Sequence, residues 1–290
     1  MLQLLLMLRL LAGPDAPLSV PLEHKMKLLE EINRDRALNG RAPVQYSEEL
    51  SRAADEHCRE MLLEDYMSHW NRAGWKPYLR YAAAGIRDAT SENVWALWKV
   101  PFDRDSEQLL AHMLTGHRGF TAEKPPYDGH RQSILHERHT HVGIGVAYNA
   151  TGMRLVELYG ARYAEIEPVP LRAARRDRPV LKGRLLSPSL RLFGIATYYE
   201  PPPREMSRSE LRATASYGLP EDEYMQRVQI SDGIYVDGST GTIQTDAIGR
   251  FIAPIVFWKN KPGVYTVVVW VRERSDNKAF QAAMTSIVVE

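Results

Sequence analysis

The spacing of apolar residues predicts two helices near the start of the chain. Leu28 and Ile32 recur at helical spacing and the pattern ends at Gly40, which predicts a helix over residues 23–38. Ser47 then offers an N-cap to a second helix with acidic residues in its first turn and a continuous apolar face. Helical structure is therefore expected to dominate this part of the chain.

The pattern is weaker in the segment that follows. Residues 70–90 are interrupted by Gly and Pro and read as a long loop with one short helix. A helical turn is predicted to start at Ser91, and a further helix follows Ser106 and ends at Gly116. Residues 117–130 are predicted to be loop.

From residue 141 the apolar period changes from helical to two. The runs HVGIGVAYN and RLVELYGARYAEI flank a turn at residues 149–152, which predicts an antiparallel hairpin. Helices followed by a hairpin favour an α+β domain with α-β-α layers, spanning residues 22–166.

The remainder of the chain differs in composition and in the pattern of its apolar residues. Residues 167–182 are rich in Pro and Arg without an apolar period and are predicted to be a linker. Residues 183–290 contain several short β-rich runs divided by Pro and Gly turns, which predicts an all-β sandwich of immunoglobulin-like type.

Composition narrows the function classes. The 290 residues carry a net charge of +1, so no basic excess points to nucleic acid. The single cysteine, Cys58, excludes an intrachain disulfide. Residues 1–20 begin with an apolar run that is too short to span a bilayer; we interpret it as a signal or leader segment, with no transmembrane span in the mature chain.

Histidine is concentrated in the first predicted domain. Eight of the nine histidines lie between residues 57 and 141, and neither His nor Cys occurs after residue 141. We therefore place any site in the first domain. Four histidines crowd the entry to the hairpin, of which His136, His139 and His141 are predicted to form a polar outer lip.

Three short motifs occur in a fixed order: SH at residues 68–69, ENV at residues 92–94, and HRQSIL at residues 130–135 followed by HVGIGVA. Together with the first helix, LLEEINRDRALNG, they resemble the CAP superfamily, which comprises the cysteine-rich secretory, antigen 5 and pathogenesis-related proteins and their bacterial SCP-like relatives. The resemblance covers about residues 22–166 and does not extend to the β-rich region.

The resemblance implies an α-β-α sandwich with a central cleft lined by His69, Glu92 and His130. Animal members add a second glutamate, and Gly116 stands in its place here. The resemblance therefore leaves two candidates, Glu123 and His117, to complete the cleft.

Such a cluster admits three uses. Two imidazoles and a carboxylate suit zinc or a similar divalent ion, with His69, His130 and Glu92 as ligands. Alternatively, Glu92 orients a histidine for general base chemistry, or the three side chains only hold the loops together. We predict a secreted or envelope protein, non-catalytic, that binds a small ligand such as a lipid, a peptide or a metal ion, with the β-sandwich as an accessory module. The alternative is a peptidase-like hydrolase.

Overall fold

The computed structural model describes residues 16–98, 106–150, 152–214, 216–231, 233–236 and 238–290. Most of the predicted leader, residues 1–15, lies outside them. Within the described ranges, no helix combines the length and the apolar character needed to cross a bilayer.

Helices cluster in the first half of the chain. Their bounds are α1 Leu22–Leu38, α2 Glu48–Leu63, α3 Pro77–Ala83, α4 Ser106–Thr121, α5 Gly129–Leu135 and, in the second half, α6 Arg208–Ala213. The two helices predicted from apolar spacing are confirmed as α1 and α2, and the Ser47 hydroxyl accepts a hydrogen bond from the Leu50 amide as an N-cap should.

The first sheet has the strand order β1-β3-β4-β2. The strands are β1 Gln45–Tyr46, β2 Ala89–Trp98, β3 His141–Asn149 and β4 Gly152–Ala161. The predicted hairpin is confirmed as β3 and β4. Helix α2 lies directly on β3, because a Cβ at Gly143 or Gly145 would come within 2.3 Å of the α2 backbone. The two glycines of HVGIGVA therefore bring helix and sheet into close contact.

Two predictions for residues 91–130 were wrong. The segment from Ser91 is strand β2, whose pairing with β4 runs the full length of both strands; this long-range ladder overrides the local helical pattern. Helix α4 continues past Gly116, where a Cβ would meet Trp95 and Leu155 at 3.0 Å. Gly116 thus permits close packing inside a helix and does not end it.

The second half of the chain forms two more sheets. One has the order β10-β11-β7-β5 and the other β6-β13-β12-β8-β9. Their strands are β5 Ala164–Ile166, β6 Arg172–Ala173, β7 Val180–Leu185, β8 Leu190–Glu200, β9 Glu223–Gln226, β10 Gln244–Thr245, β11 Arg250–Pro254, β12 Gly263–Glu273 and β13 Phe280–Val289. Both sheets contribute to one apolar core that includes Leu181, Phe251 and Ile287. The segment predicted as a linker runs along these sheets and supplies β6 and the start of β7.

The two halves share packed surfaces. Leu211 of α6 is fully buried in the same apolar cluster as Met61 of α2 and Tyr66, which follows that helix. Leu79 of α3 packs with Val268 of β12 in another cluster. The chain between β8 and β9 therefore leaves the second half, crosses the face of the first, and returns.

Candidate functional site

The fold brings the three motif residues to one place. His69 lies in the loop between α2 and α3, Glu92 in β2, and His130 in the first turn of α5. The His69 Nδ1 is 2.8 Å from Glu92 Oε1, and the rings of His69 and His130 have centroids 6.5 Å apart at 29°. Because a carboxylate can only accept, Nδ1 of His69 carries the proton and donates it.

Glu92 is held by more than His69. Its side chain is fully buried, and Arg80 Nη2 donates to Oε2 over 2.7 Å. The Tyr81 hydroxyl donates to the same oxygen. Burial alone would raise the pKa of Glu92, but the Arg80 guanidinium and the His69 hydrogen bond outweigh it and hold that pKa far below its ordinary range. Glu92 is therefore a fixed negative charge.

The His130 end of the site is more exposed to solvent. Its side chain is 35% exposed, and Glu123, at 24%, binds Nδ1. The Glu123 carboxylate also accepts from the His130 amide over 3.0 Å, while the ring of Phe120 lies 4.7 Å away, between centroids. Glu123 thus orients His130 much as Glu92 orients His69.

His117, the other candidate for the cleft, lies elsewhere. Its side chain is fully buried, with Nδ1 2.7 Å from Glu157 Oε1 and Nε2 3.2 Å from Asp35 Oδ2. Tyr159 donates to the second oxygen of Glu157 over 2.7 Å. Burial would lower the pKa of His117, but Glu157 and Asp35 raise it overall. The structure therefore places Glu123 beside His130 and encloses His117 in the core.

The prediction that His136, His139 and His141 form a polar outer lip is wrong for His139. His139 is only 8% exposed, its Nδ1 contacts the Ser133 carbonyl at 2.9 Å, and its ring stacks on Tyr159 at 5.3 Å. Burial lowers its pKa to about 3, so it is a neutral core residue. His136 is exposed, and His141 is half-buried.

Sequence reasoning missed three residues of the site. Arg80 and Tyr81 sit on the short helix α3, where no motif distinguishes them. Tyr217 comes from the second half of the chain: its ring lies 4.6 Å from the His69 ring, between centroids, and its hydroxyl accepts a hydrogen bond from the Glu92 amide over 2.8 Å. The local sequence does not predict the contact between Tyr217 and Glu92, because more than 120 residues separate them in the chain.

The residues do not fit the expected three-ligand metal site. Both oxygens of Glu92 are already engaged by Arg80, Tyr81 and His69. In the described part of the chain, no group of three or more His, Cys, Asp or Glu side chains is arranged to hold a metal ion. Glu92 therefore acts as an orienting carboxylate for His69.

Comparison with known proteins supports the identification of the first half. Residues 29–159 match the cysteine-rich secretory protein family, CAP. This match confirms, for that part of the chain, the resemblance drawn from the SH, ENV and HRQSIL motifs.

Individual relatives are distant. YkwD, an uncharacterized protein of Bacillus subtilis, is 28% identical over 132 residues, and the match covers 45% of this chain and 45% of that protein. The chain thus spans about half the length of this relative. An extracellular SCP-domain protein of Bacillus anthracis is 17% identical with a TM-score of 0.38, covering 47% of this chain and 40% of that one. An outer surface protein of Borrelia burgdorferi is 15% identical with a TM-score of 0.38, covering 50% and 98%.

Proposed function

We propose that this protein is a secreted or envelope CAP-domain protein that binds a small organic ligand, without chemical conversion, in the cleft between His69 and His130. One observation carries the proposal: each of these imidazoles is held through Nδ1 by a carboxylate, Glu92 or Glu123. The carboxylates fix the rings, and Nε2 is the nitrogen that each ring can offer to a ligand.

The same geometry favours binding over hydrolysis. A general base works best with a pKa near the operating pH. The pKa of Glu92 is held far below that range, so hydrolysis would require a histidine as the base and a nucleophile placed beside it. The Ser68 hydroxyl donates to the Thr214 carbonyl and accepts from the Trp70 amide, so its proton is not directed at a base. Cys58 is fully buried, and burial raises the pKa of its thiol.

The proposed β-rich module, residues 183–290, has an accessory role in this scheme. Its two sheets enclose one core, as an immunoglobulin-like sandwich would, and it packs against the CAP domain through Leu211 and Leu79. Export is proposed from the apolar run at the amino terminus. Amino-terminal sequencing of the protein from its native host tests export; recovery of the intact chain only from cytosol would refute it.

Native mass spectrometry of the full-length protein tests the binding proposal. The probes are sodium palmitate and a pool of random tetrapeptides, each at millimolar concentration. We expect retention of one probe with its mass unchanged, and loss of at least tenfold in affinity, or 1.4 kcal/mol, in His69→Ala and His130→Ala.

His141→Ala is the matched control, because that ring is bonded to Thr140 Oγ1 outside the cleft, and it should bind as the parent does. Equal retention by all three variants would refute the site. Peptide fragments of reduced mass would instead establish the hydrolase.

A further inference from the structure

The cleft already contains a piece of this chain. Thr214 and residues 216–219, here called the cleft segment, lie between α6 and β9, and Tyr217 of this segment packs against His69. The contacts of this segment resemble those of a bound peptide more than those of two domains in general contact, in three respects.

First, the CAP domain binds backbone carbonyls on alternate residues. Ser68 Oγ donates to the carbonyl of Thr214 over 3.1 Å, and Trp70 Nε1 donates to that of Ser216 over 3.2 Å. Lys76 Nζ donates to the carbonyl of Gly218 over 3.2 Å. Alternate carbonyls are what an extended chain presents to one side, and contacts to carbonyls do not depend on side-chain identity.

Second, one side chain is selected. The Tyr217 ring packs on the His69 ring, and its hydroxyl accepts from the Glu92 amide over 2.8 Å. Burial, followed by the charge of Glu92, raises the pKa of the Tyr217 phenol, which therefore stays neutral. Hydrogen bonds to a series of backbone carbonyls, combined with a pocket for one side chain, are how proteins recognise extended peptides.

Third, the donors on the CAP side are themselves held in place. Lys76 lies over the rings of Trp70 and Tyr78, 5.1 and 5.6 Å from their centroids, and pairs with Glu200. The Ser68 hydroxyl is fixed by the Trp70 amide. Side chains held in this way lose little conformational freedom on binding, which strengthens recognition.

We propose that the ligand of the CAP cleft is an extended peptide with a tyrosine in the His69 pocket, and that the cleft segment is a tethered copy of that ligand which closes the cleft. This inference rests on the proposed function and names its ligand class. A tethered segment competes at an effective concentration in the millimolar range, so a free peptide binds well only when the segment is weakened.

Fluorescence anisotropy with a labelled hexapeptide of the chain's own sequence, Thr-Ala-Ser-Tyr-Gly-Leu (residues 214–219), tests the proposal on the full-length protein. Tyr217→Ala should bind this peptide at least ten times more tightly than the parent does. Tyr224→Ala, which removes an exposed tyrosine of β9, is the matched control and should behave as the parent.

The peptide itself supplies the specificity test. Alanine in place of its tyrosine should abolish binding to Tyr217→Ala, and phenylalanine should weaken binding roughly 3- to 10-fold, the effect of one neutral hydrogen bond. Equal binding by parent and variant, no binding to either, or indifference to the tyrosine would each overturn the proposal. If circular dichroism shows Tyr217→Ala unfolded, Tyr217→Phe replaces it, with an expected gain of about 3- to 10-fold.

The failures of the two proposals are distinguishable. If Tyr217→Ala folds and binds no peptide while the parent retains palmitate in a manner that depends on His130, only the peptide assignment falls. If removal of His69 or His130 changes the retention of no probe, the cleft itself is wrongly assigned.

Discussion

The molecule contains two histidine–carboxylate clusters that are similar in residue composition. They differ in how many nitrogens of the histidine ring contact a carboxylate. In the candidate site, the His69 ring contacts a carboxylate through one nitrogen, which donates to Glu92. In the core, His117 gives both nitrogens to carboxylates, Glu157 and Asp35. The first arrangement orients a ring through one nitrogen, whereas the second engages both nitrogens of the ring with carboxylates.

The difference shows that a His–carboxylate pair does not by itself mark a functional site. Two carboxylates on one ring require two N–H donors, which favours the charged imidazolium, and the pKa of His117 is raised accordingly. A fully paired and fully buried ring serves stability, whereas a ring paired once at a partly exposed rim, like His130, can take part in binding.

The largest effect is expected from breaking the core cluster. Glu157→Ala removes a fully buried partner of His117 and of the Tyr159 hydroxyl. Loss of one member of a buried pair costs roughly 3–5 kcal/mol in the free energy of unfolding. Urea denaturation at neutral pH measures it. Glu165→Ala, which removes an exposed ion pair with Arg184, should cost about 0–1 kcal/mol; a similar cost for both would contradict the comparison.

The second largest loss of stability is expected at Glu92, the buried end of the candidate site. Glu92→Gln keeps the shape of the side chain but leaves the Arg80 guanidinium without its counter-charge. A hydrogen bond to a charged group is worth about 1.5–3 kcal/mol, and we expect that loss of stability in the same assay. Unchanged stability would show that Arg80 finds another partner.

A pH titration of stability separates the two kinds of buried histidine. The pKa of His117 is raised in the folded state, so its stabilisation is present below pH 6.5 and is lost as the pH rises through the folded value. The stability gap between parent and His117→Gln should therefore be wider at pH 6 than at pH 9.

The stability gap between the parent and His139→Gln should depend on pH in the opposite direction. Burial lowers the pKa of His139 to about 3. Between pH 6.5 and that value the unfolded state binds a proton that the folded state does not bind, so the parent protein loses stability as the pH falls. The gap between the parent and His139→Gln should narrow as the pH falls from 6.5 towards 3. Gaps that do not move with pH would refute both assignments.

The smallest change in stability is expected at the open rim. Glu123→Gln removes the charge that orients His130, but both side chains reach solvent. The cost in unfolding free energy should stay below about 1 kcal/mol, while retention of the cleft probe weakens as the His130 ring loses its fixed orientation. A large loss of stability in Glu123→Gln would show that the Glu123–His130 pair stabilises the fold as the His117–Glu157 pair does, and would contradict the comparison.

Local sequence patterns determined much of the first half. The apolar period and the Ser47 cap sufficed for α1 and α2, and alternation sufficed for the hairpin, because these elements draw on contacts within a few residues of one another. The motifs also indicated His69, Glu92 and His130, since SH, ENV and HRQSIL each carry their own context. The resemblance to the CAP superfamily rested on these motifs together with the first helix and the HVGIGVA run.

The tertiary structure decided whatever depends on distant partners. The pairing of β2 with β4 turned a predicted helix into a strand. The choice between Glu123 and His117 depended on which one the packing of α4 buries, and sequence spacing carries no such information. Tyr217 reaches His69 only because the chain between β8 and β9 crosses the CAP domain. Its contact with the Glu92 amide joins residues 125 positions apart, a distance at which only the folded chain can specify a neighbour.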